Sequence, residues 1–529
     1  MRLQLAAAVF LLAACSGGRA GSTSGSASST SSGSSSGSGS ASSSSGSSTG
    51  SSGSSGGLTL VDCDVDGGPA CAGPVASFNG ANVAQDPNDT LAAEVYGLAS
   101  GAASVTVLYQ LDGGPVEQTP AFQPSVRPLP VLGLQASSRY AMQVLATADD
   151  GSVGRSPILQ LSSGVLPAAA DPSFSVTATG AYQPGYVLIG KLPLNPTQSS
   201  TAGVVVDRSG RVVWYAECPT SLYGDFEKQL DHSYSLGCFT ATSTFLASIT
   251  TVWQVVDPLS QVTGYFTVPD NDGGTDNHEF SYLPDHDVLM IGETGQQLDT
   301  TAYGGQPNTT VVEQTLWRIH PDGGVVFFWN AFDHTDLGNV SPVYGSVGNN
   351  PLDASHINAF SQAADGNYLV SLREMNQVMK IDASTGAVIW TLGAAGDFTF
   401  LSDPLLGFSG QHDVREVAPD DLLFFDDGDA HTPPQSRAVE YKLSFKPDGG
   451  PDAATLIWSY QPPPASSGTP QFAFALGSTQ RLPNGDTLVC SGTLSRVDEV
   501  DPMGNVVWSL VDTEPGFGFF RARWLDTLY

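Results

Sequence analysis

Positive charge is scarce in this sequence. Twenty Lys and Arg stand against 52 Asp and Glu, a formal net charge of −32 over 529 residues. Binding to nucleic acid begins with a basic surface that releases counterions from phosphates, and so acidic a chain does not offer one. The same shortage excludes a basic helix lying on a membrane. Charge of either sign is thin, at 14% where roughly 25% is usual. No apolar run reaches the ~20 residues that cross a bilayer, and no long segment carries a 3.6-residue apolar period. No Cys-x-x-Cys occurs, which argues against a zinc ribbon or a thioredoxin-like centre. What is present is a chain that is 40% hydrophobic, with 59 glycines. That supplies real cores, so disorder can hold only for part of it. The length points to two or more domains or one large repeat.

The N-terminus reads as an export signal. Arg2 precedes the twelve-residue run Leu3–Ala14, which ends in Leu12-Ala13-Ala14-Cys15. That ending resembles the cleavage box of bacterial lipoproteins. The resemblance makes 1–15 a lipoprotein signal peptide and Cys15 the lipid-carrying residue. Ser16 in place of Asp then implies the outer membrane. An ordinary signal peptide with an incidental Cys is the alternative. Residues 16–57 are almost entirely Ser, Gly, Ala and Thr, with Arg19 the only charge. Such a segment has nothing to bury and forms a flexible tether of roughly 35 Å.

Cys15 set aside, five of the six cysteines remain. An exported chain meets an oxidising compartment, so Cys63 with Cys71 and Cys218 with Cys238 are the expected short-range disulfides. Cys490, in Thr487-Leu488-Val489-Cys490, is the odd one and is expected buried in a strand.

The body has all-β patterning. After an approach segment, 58–75, residues 76–170 alternate short strands such as 104–109 and 140–145 with Asp-Gly turns. That rhythm suits a small immunoglobulin-like β-sandwich. From 185 to 529 a repeat appears: strand, Asp/Gly turn, then a strand ending in an aromatic. Its end points are Trp214, Phe266, Trp329, Trp390, Trp458 and Trp508. A strand-only period of this size indicates a β-propeller of six blades.

Three repeats open with a histidine in nearly the same register: Asn277-His278-Glu279-Phe280, Ser355-His356-Ile357-Asn358 and Gln411-His412-Asp413-Val414. The first strand of a blade lines the central channel, so three consecutive blades would aim three imidazoles at one axial site. Histidines 232, 286, 320, 334 and 431 do not share the register. Arg373 follows in Ser371-Leu372-Arg373-Glu374. An Arg in an apolar strand needs a partner, such as Glu374, or an anion. His and Arg together suit a tetrahedral oxyanion, because Arg offers forked donors.

These residues resemble a family. The segments DNHEF (276–280), DASHINAF (353–360), SLREMNQV (371–378), GQHDVREV (410–417) and SRAVEY (436–441) are similar to those of bacterial arylsulfate sulfotransferases, and the likeness runs over roughly 80–529. It implies a six-bladed propeller that moves a sulfuryl group from an aryl sulfate to a phenol without a nucleotide sulfate donor, a metal or another cofactor. By the same resemblance His412 is the histidine transiently sulfated, and His278, His356 and Arg373 surround the sulfuryl group. A neutral imidazole is a competent nucleophile. Arg373 would stabilise the equatorial oxygens. His356 or His278 would serve as general acid and base, and Asn358 would hold an imidazole or contact the sulfuryl oxygens. Residues 391–411 contain no Cys, whereas some periplasmic members carry a disulfide ahead of the nucleophile. Membrane attachment would be through the N-terminal lipid alone, and oligomeric state is not legible.

Two other functions fit the same residues. Three channel histidines could bind zinc or iron, although a neighbouring Arg repels a cation. A tethered propeller could also be a non-enzymatic binding platform. The acidic turns Asp270–Asp276 and Asp426–Asp429 faintly resemble oxygen-rich calcium loops, but read more simply as solvated turns.

Overall fold

Runs of β-branched and aromatic residues, broken by Asp-Gly turns, build strands and little else. The computed structural model describes residues 58–63, 71–194, 198, 200–242, 249–269, 273–344, 348–464 and 468–529. Its regular elements are β-strands and short 3-10 turns, with no α-helix among the described residues. The class is all-β, as the patterning indicated. The signal segment, the tether and Cys15 lie outside the described residues, as does 270–272 of the first acidic turn.

Two sheets lie face to face at the N-terminal end. One joins Ser77–Gln85, Ala93–Ser100 and Leu129–Val131. The other is built on Ser104–Leu111 and Arg139–Thr147. Phe78, Val95, Val107, Met142 and Val144 fill the space between them. The Cys63–Cys71 disulfide clips the approach segment, and the Gln143 side chain bonds both backbone groups of Val61.

The described residues of the rest of the chain form six sheets of four antiparallel strands, three of them carrying an extra strand. Their innermost strands are Phe517–Leu525 (first sheet), Leu222–Lys228 (second), Gly274–Tyr282 (third), Ile357–Gln362 (fourth), His412–Ala418 (fifth) and Ser478–Arg481 (sixth). Each packs against the next, and the sixth returns to the first, so the inner strands close a ring. The C-terminal strand makes the closure by pairing with Tyr186–Pro193. The strand Phe174–Ala178 adds an outer edge to the sixth sheet. It lies in the stretch between 170 and 185, which the sequence boundaries had left to neither domain.

The aromatic repeat residues all sit on the fourth strand from the ring axis. Three of the indoles explain why. Trp214, Trp329 and Trp508 donate Nε1–H to carbonyls of Pro258, Gly386 and Arg208, each in a turn of the next sheet. The aromatic thus fills the gap between two sheets and stitches them at one polar point. The Cys218–Cys238 disulfide joins the end of the first sheet to the second. Leu132 and Ala92 of the N-terminal unit share a core with Trp214 and Phe226, and Leu132 N–H donates to the Tyr529 hydroxyl at 3.0 Å. The two units are therefore packed on one another.

Candidate active site

The ring interior is crossed by a charged hub. Arg521, from the first sheet, donates to Asp225 Oδ2 at 2.6 Å, Glu279 Oε2 at 3.0 Å and the Asn358 carbonyl at 3.0 Å. Its Nε lies 3.7 Å from Asp413 Oδ1. Asp413 also receives Arg523 at 2.5 and 2.7 Å, Arg415 at 2.8 Å and Thr479 N–H at 2.9 Å. All six inner strands meet at these two buried side chains. Burial alone would raise the Asp413 carboxyl, but the arginines hold it far below the usual carboxylate range. Beyond the hub, a cavity of ≈ 360 Å³ opens among the far ends of the inner strands, including Glu227, Tyr282, Gln362 and Arg415.

The three register-matched histidines stand on the other side of the hub. His278 lies within the third inner strand, His356 just before the fourth, and His412 opens the fifth. Each ring is anchored through Nδ1 by an acceptor two or three residues earlier in the chain. His278 Nδ1 meets Asp276 Oδ1 at 2.8 Å, and His356 Nδ1 meets Asp353 Oδ2 at 2.5 Å. His412 Nδ1 meets the Gly410 carbonyl at 2.9 Å. The rings of His278 and His356 pack edge to face, with centroids 4.9 Å apart.

The tautomer of His412 follows from its partners. A carbonyl can only accept, so Nδ1 carries the hydrogen. Leu476 N–H can only donate, and it points at Nε2 from 3.3 Å. Nε2 therefore holds the lone pair. The ring is also held neutral. Burial first, then Arg373, His278 and His356, push its pKa well below the ordinary value. His356 is the opposite case. Burial opposes its charge, but the Asp353 carboxylate and Glu374 outweigh burial and lift it to about 9. One imidazole is thus kept as a base and its neighbour as an acid.

Arg373 completes the group. Nη1 donates to Glu374 at 2.6 Å and Nη2 to the Phe474 carbonyl at 3.1 Å, with Asp429 at 3.5 Å. The guanidinium lies over the Tyr344 ring, 4.4 Å from its centroid. Burial raises Glu374 to about 7 and Asp429 to about 6, against the pull of Arg373. The backbone here is unusual. His356, Asn376, Asp413 and Leu476 all have positive φ, between 47° and 68°. Residues with a Cβ adopt this region rarely, and such residues cluster at functional sites.

The structure gathers four of the five expected site residues. The Coulombic pull of Arg373, His278 and His356 on His412 marks all four as one electrostatic group. Asn358 is placed differently from the expectation. Its amide nitrogen donates to the Gln411 carbonyl at 2.8 Å, and the residue is fully buried. It braces the backbone ahead of His412 and makes no bond to an imidazole. Sequence reading missed Tyr344, Asp353, Leu476 and Asp427. Asp353 had a usable signal, since Asp-x-x-His and Asp276-x-His278 place a carboxylate beside each Nδ1. The Asp426–Asp429 turn, read as solvated, is buried at Asp426 and Asp427 and turned toward His412 and Arg373.

One group of metal-type ligands occurs among the described residues: Asp353, His356 and Glu374, with ligand atoms within 4.8 Å of one another. His278 and His412 are not in it. The His356 Nδ1 is bonded to Asp353 and Glu374 is bonded to Arg373, so a cation there would have to displace a proton and compete with the guanidinium.

The sequence model of the family described as Arylsulfotransferase (ASST) matches residues 247–513. The chain belongs to that family. The arylsulfotransferase match runs from the second sheet to the sixth and contains all three anchored histidines and Arg373. No curated protein matches the chain. Among solved structures, a protein of unknown function from Bacteroides caccae is 14% identical, with 64% of this chain and 98% of that one covered and a TM-score of 0.38. A catalytically inactive virginiamycin B lyase from Staphylococcus aureus is 9% identical, with 64% and 99% covered and a TM-score of 0.30. An auxiliary nutrient binding protein from Bacteroides ovatus is 13% identical, with 78% and 81% covered and a TM-score of 0.32.

Proposed function

We propose that the protein transfers a sulfuryl group from an aryl sulfate to a phenol through a sulfohistidine on Nε2 of His412, without a nucleotide sulfate. The catalytic unit is read as a six-bladed β-propeller and the N-terminal unit as an immunoglobulin-like sandwich. The observation that carries the reading is the contrast between neighbours: His412 neutral with its lone pair on Nε2, His356 protonated, and Arg373 a fixed cation between buried carboxylates.

In the first half-reaction Nε2 attacks sulfur and the S–O bond to the aryl group breaks. His356 gives its proton to the departing phenolate. Arg373 faces the sulfuryl oxygens, where charge concentrates. In the second, a phenol oxygen attacks sulfur, the N–S bond breaks, and His356 takes the phenol proton. His278, braced by Asp276 and packed on His356, fixes the acid in place. Export and a lipid anchor at Cys15 complete the reading, with the tether holding the body off the membrane.

Mass spectrometry after incubation with an aryl sulfate tests it. A sulfuryl mass is expected on the peptide containing His412, and none in His412→Ala. Full transfer by His412→Ala, or a stoichiometric metal in the purified protein with no labelling, would sink the proposal.

A further inference from the structure

Residues 471–476 lead from the fifth sheet to the sixth and pass beside the histidine group. Their backbone bonds fall on two sides. On one, the Gln471 carbonyl accepts Ser436 N–H at 3.1 Å, and Ala473 N–H donates to Ser436 Oγ at 2.7 Å. On the other, the Phe474 carbonyl accepts Arg373 Nη2 at 3.1 Å, and Leu476 N–H meets His412 Nε2 at 3.3 Å. The segment is thus pinned between Ser436 and the two groups proposed to hold the sulfuryl group.

The side chains alternate too. Ala473 is fully buried in the core of Phe425, Tyr460 and Val489. Ala475 packs on the core of Trp214 and Phe520. Phe472 and Phe474, which alternate with these alanines, are half-buried. Among the described residues, neither phenylalanine packs on any of the apolar cores. Apolar walls around a few polar anchors are the make-up of a small-molecule site. Here the anchors are Arg373 and His412, and the two rings stand next to them with no core to fill.

We infer that Phe474 and Phe472 line the aryl subsite, and that it favours substrates with apolar length beyond one ring. The inference rests on the sulfuryl-transfer reading above. With sulfur between Arg373 and Nε2, the charged hub lies on the inner side, so the aryl group extends away from the hub. It then passes Phe474, whose own carbonyl sits on Arg373. Residues two apart on an extended segment are spaced about 7 Å. Phe474 therefore borders the ring that carries the sulfate oxygen, and Phe472 borders whatever lies beyond it. Aromatic rings gain from stacking on one another, so two rings in a line use both phenylalanines and a simple phenol uses one. Neither side chain touches the reacting atoms; both set which aryl group is held.

Phenyl sulfate and biphenylyl sulfate, compared as donors, test this. The biphenylyl donor should have the lower KM, by about fivefold to tenfold. Phe472→Ala should remove that advantage and leave phenyl sulfate unaffected. Phe474→Ala should raise KM for both donors by about fivefold to tenfold with kcat steady, the signature of contacts made equally in ground and transition states. If Phe474→Ala does not fold, Phe474→Leu decides: a raised KM for both donors supports the assignment and an unmoved one overturns it. Equal KM for the two donors in the unaltered protein, with His412 labelled by each, overturns the preference for a second ring. KM unmoved in both alanine variants overturns the subsite. A lower kcat and melting temperature with the ratio of the two KM values unchanged assigns the phenylalanines to structure and also overturns it. No labelling of His412 by either donor overturns the sulfuryl-transfer reading instead.

Discussion

A histidine serves as a nucleophile only while one ring nitrogen keeps its lone pair, and as an acid only while both keep their protons. Both states are held here in rings on adjacent sheets, by opposite means. Burial and surrounding cations keep His412 neutral, whereas Asp353 and Glu374 keep His356 charged. The consequence is a pH profile with a definite sign. Transfer from donors with weakly acidic phenols should be steady below neutral and fall as pH rises through about 9, where His356 loses its proton. A nitrophenyl donor, whose phenolate leaves without a proton, should show a shallower fall. In Asp353→Asn the descending limb should move to lower pH. Steady-state rates with two donors across pH 6–10 check this, and identical flat profiles would refute the acid role. The same groups bear on stability. His356 rises from 6.5 to about 9 on folding and Glu374 from 4.5 to about 7. Both then bind protons more tightly when folded, so their contribution is full at low pH and is lost as pH climbs through those values. Thermal melts of the unaltered protein and Glu374→Gln should lie closest at pH 5, where Glu374 is neutral like the amide, and diverge as pH rises through about 7, the variant becoming the more stable.

At the scale of elements, the site depends on how each inner strand begins. Gly410 precedes the fifth one with φ +64, and a Cβ there would lie 2.1 Å from Asp429 Oδ2 and 2.8 Å from the Tyr344 hydroxyl. Gly410→Ala should therefore fold but shift His412, the Asp429 carboxylate and the Tyr344 ring beneath Arg373. A displacement near 1 Å costs about 100-fold in rate. Turnover beside circular dichroism measures it, and an undiminished rate would show that Gly410 has slack. The inner strands were also the most legible part of the sequence. His278, His356 and His412 were aligned by register, and the Trp end points marked the outer strands, because both repeat with the fold. Tyr344 and Leu476 do not repeat. They come from long connections between sheets, whose course depends on packing. Arg521 and Arg523 carry no motif that marks a hub, since their partners come from the second, third, fourth and fifth sheets.

For the molecule as a whole, closure and charge are the governing features. The hub joins all six inner strands, so Arg521→Leu leaves Asp225 without its paired cation and Glu279 with Arg415 alone. Breaking a buried pair this way costs about 3–5 kcal/mol, and the urea midpoint should drop accordingly. A midpoint within error of the unaltered protein would mean that the carboxylates find other partners. The formal charge of −32 surrounds the site proposed to bind an anionic donor at Arg373 and His356. On that proposal the outer field would repel the donor while the inner cations bind it. Salt screens the distant repulsion more than the buried attraction. kcat/KM for an aryl sulfate should thus rise between about 10 and 150 mM salt. A fall over that range would place the dominant field at the local cations.

The hub has one more consequence. Because the Arg521–Asp413 crossing joins all six inner strands, it stands between the histidines and the cavity on its far side. For the proposed transfer this means that donor and acceptor would share one approach to His412, from the side of the hub where the histidines stand. The first phenol would then depart before a second arrived. A blocked axis thus suits an exchange in two steps, in which the proposed histidine would keep the sulfuryl group while the occupants change.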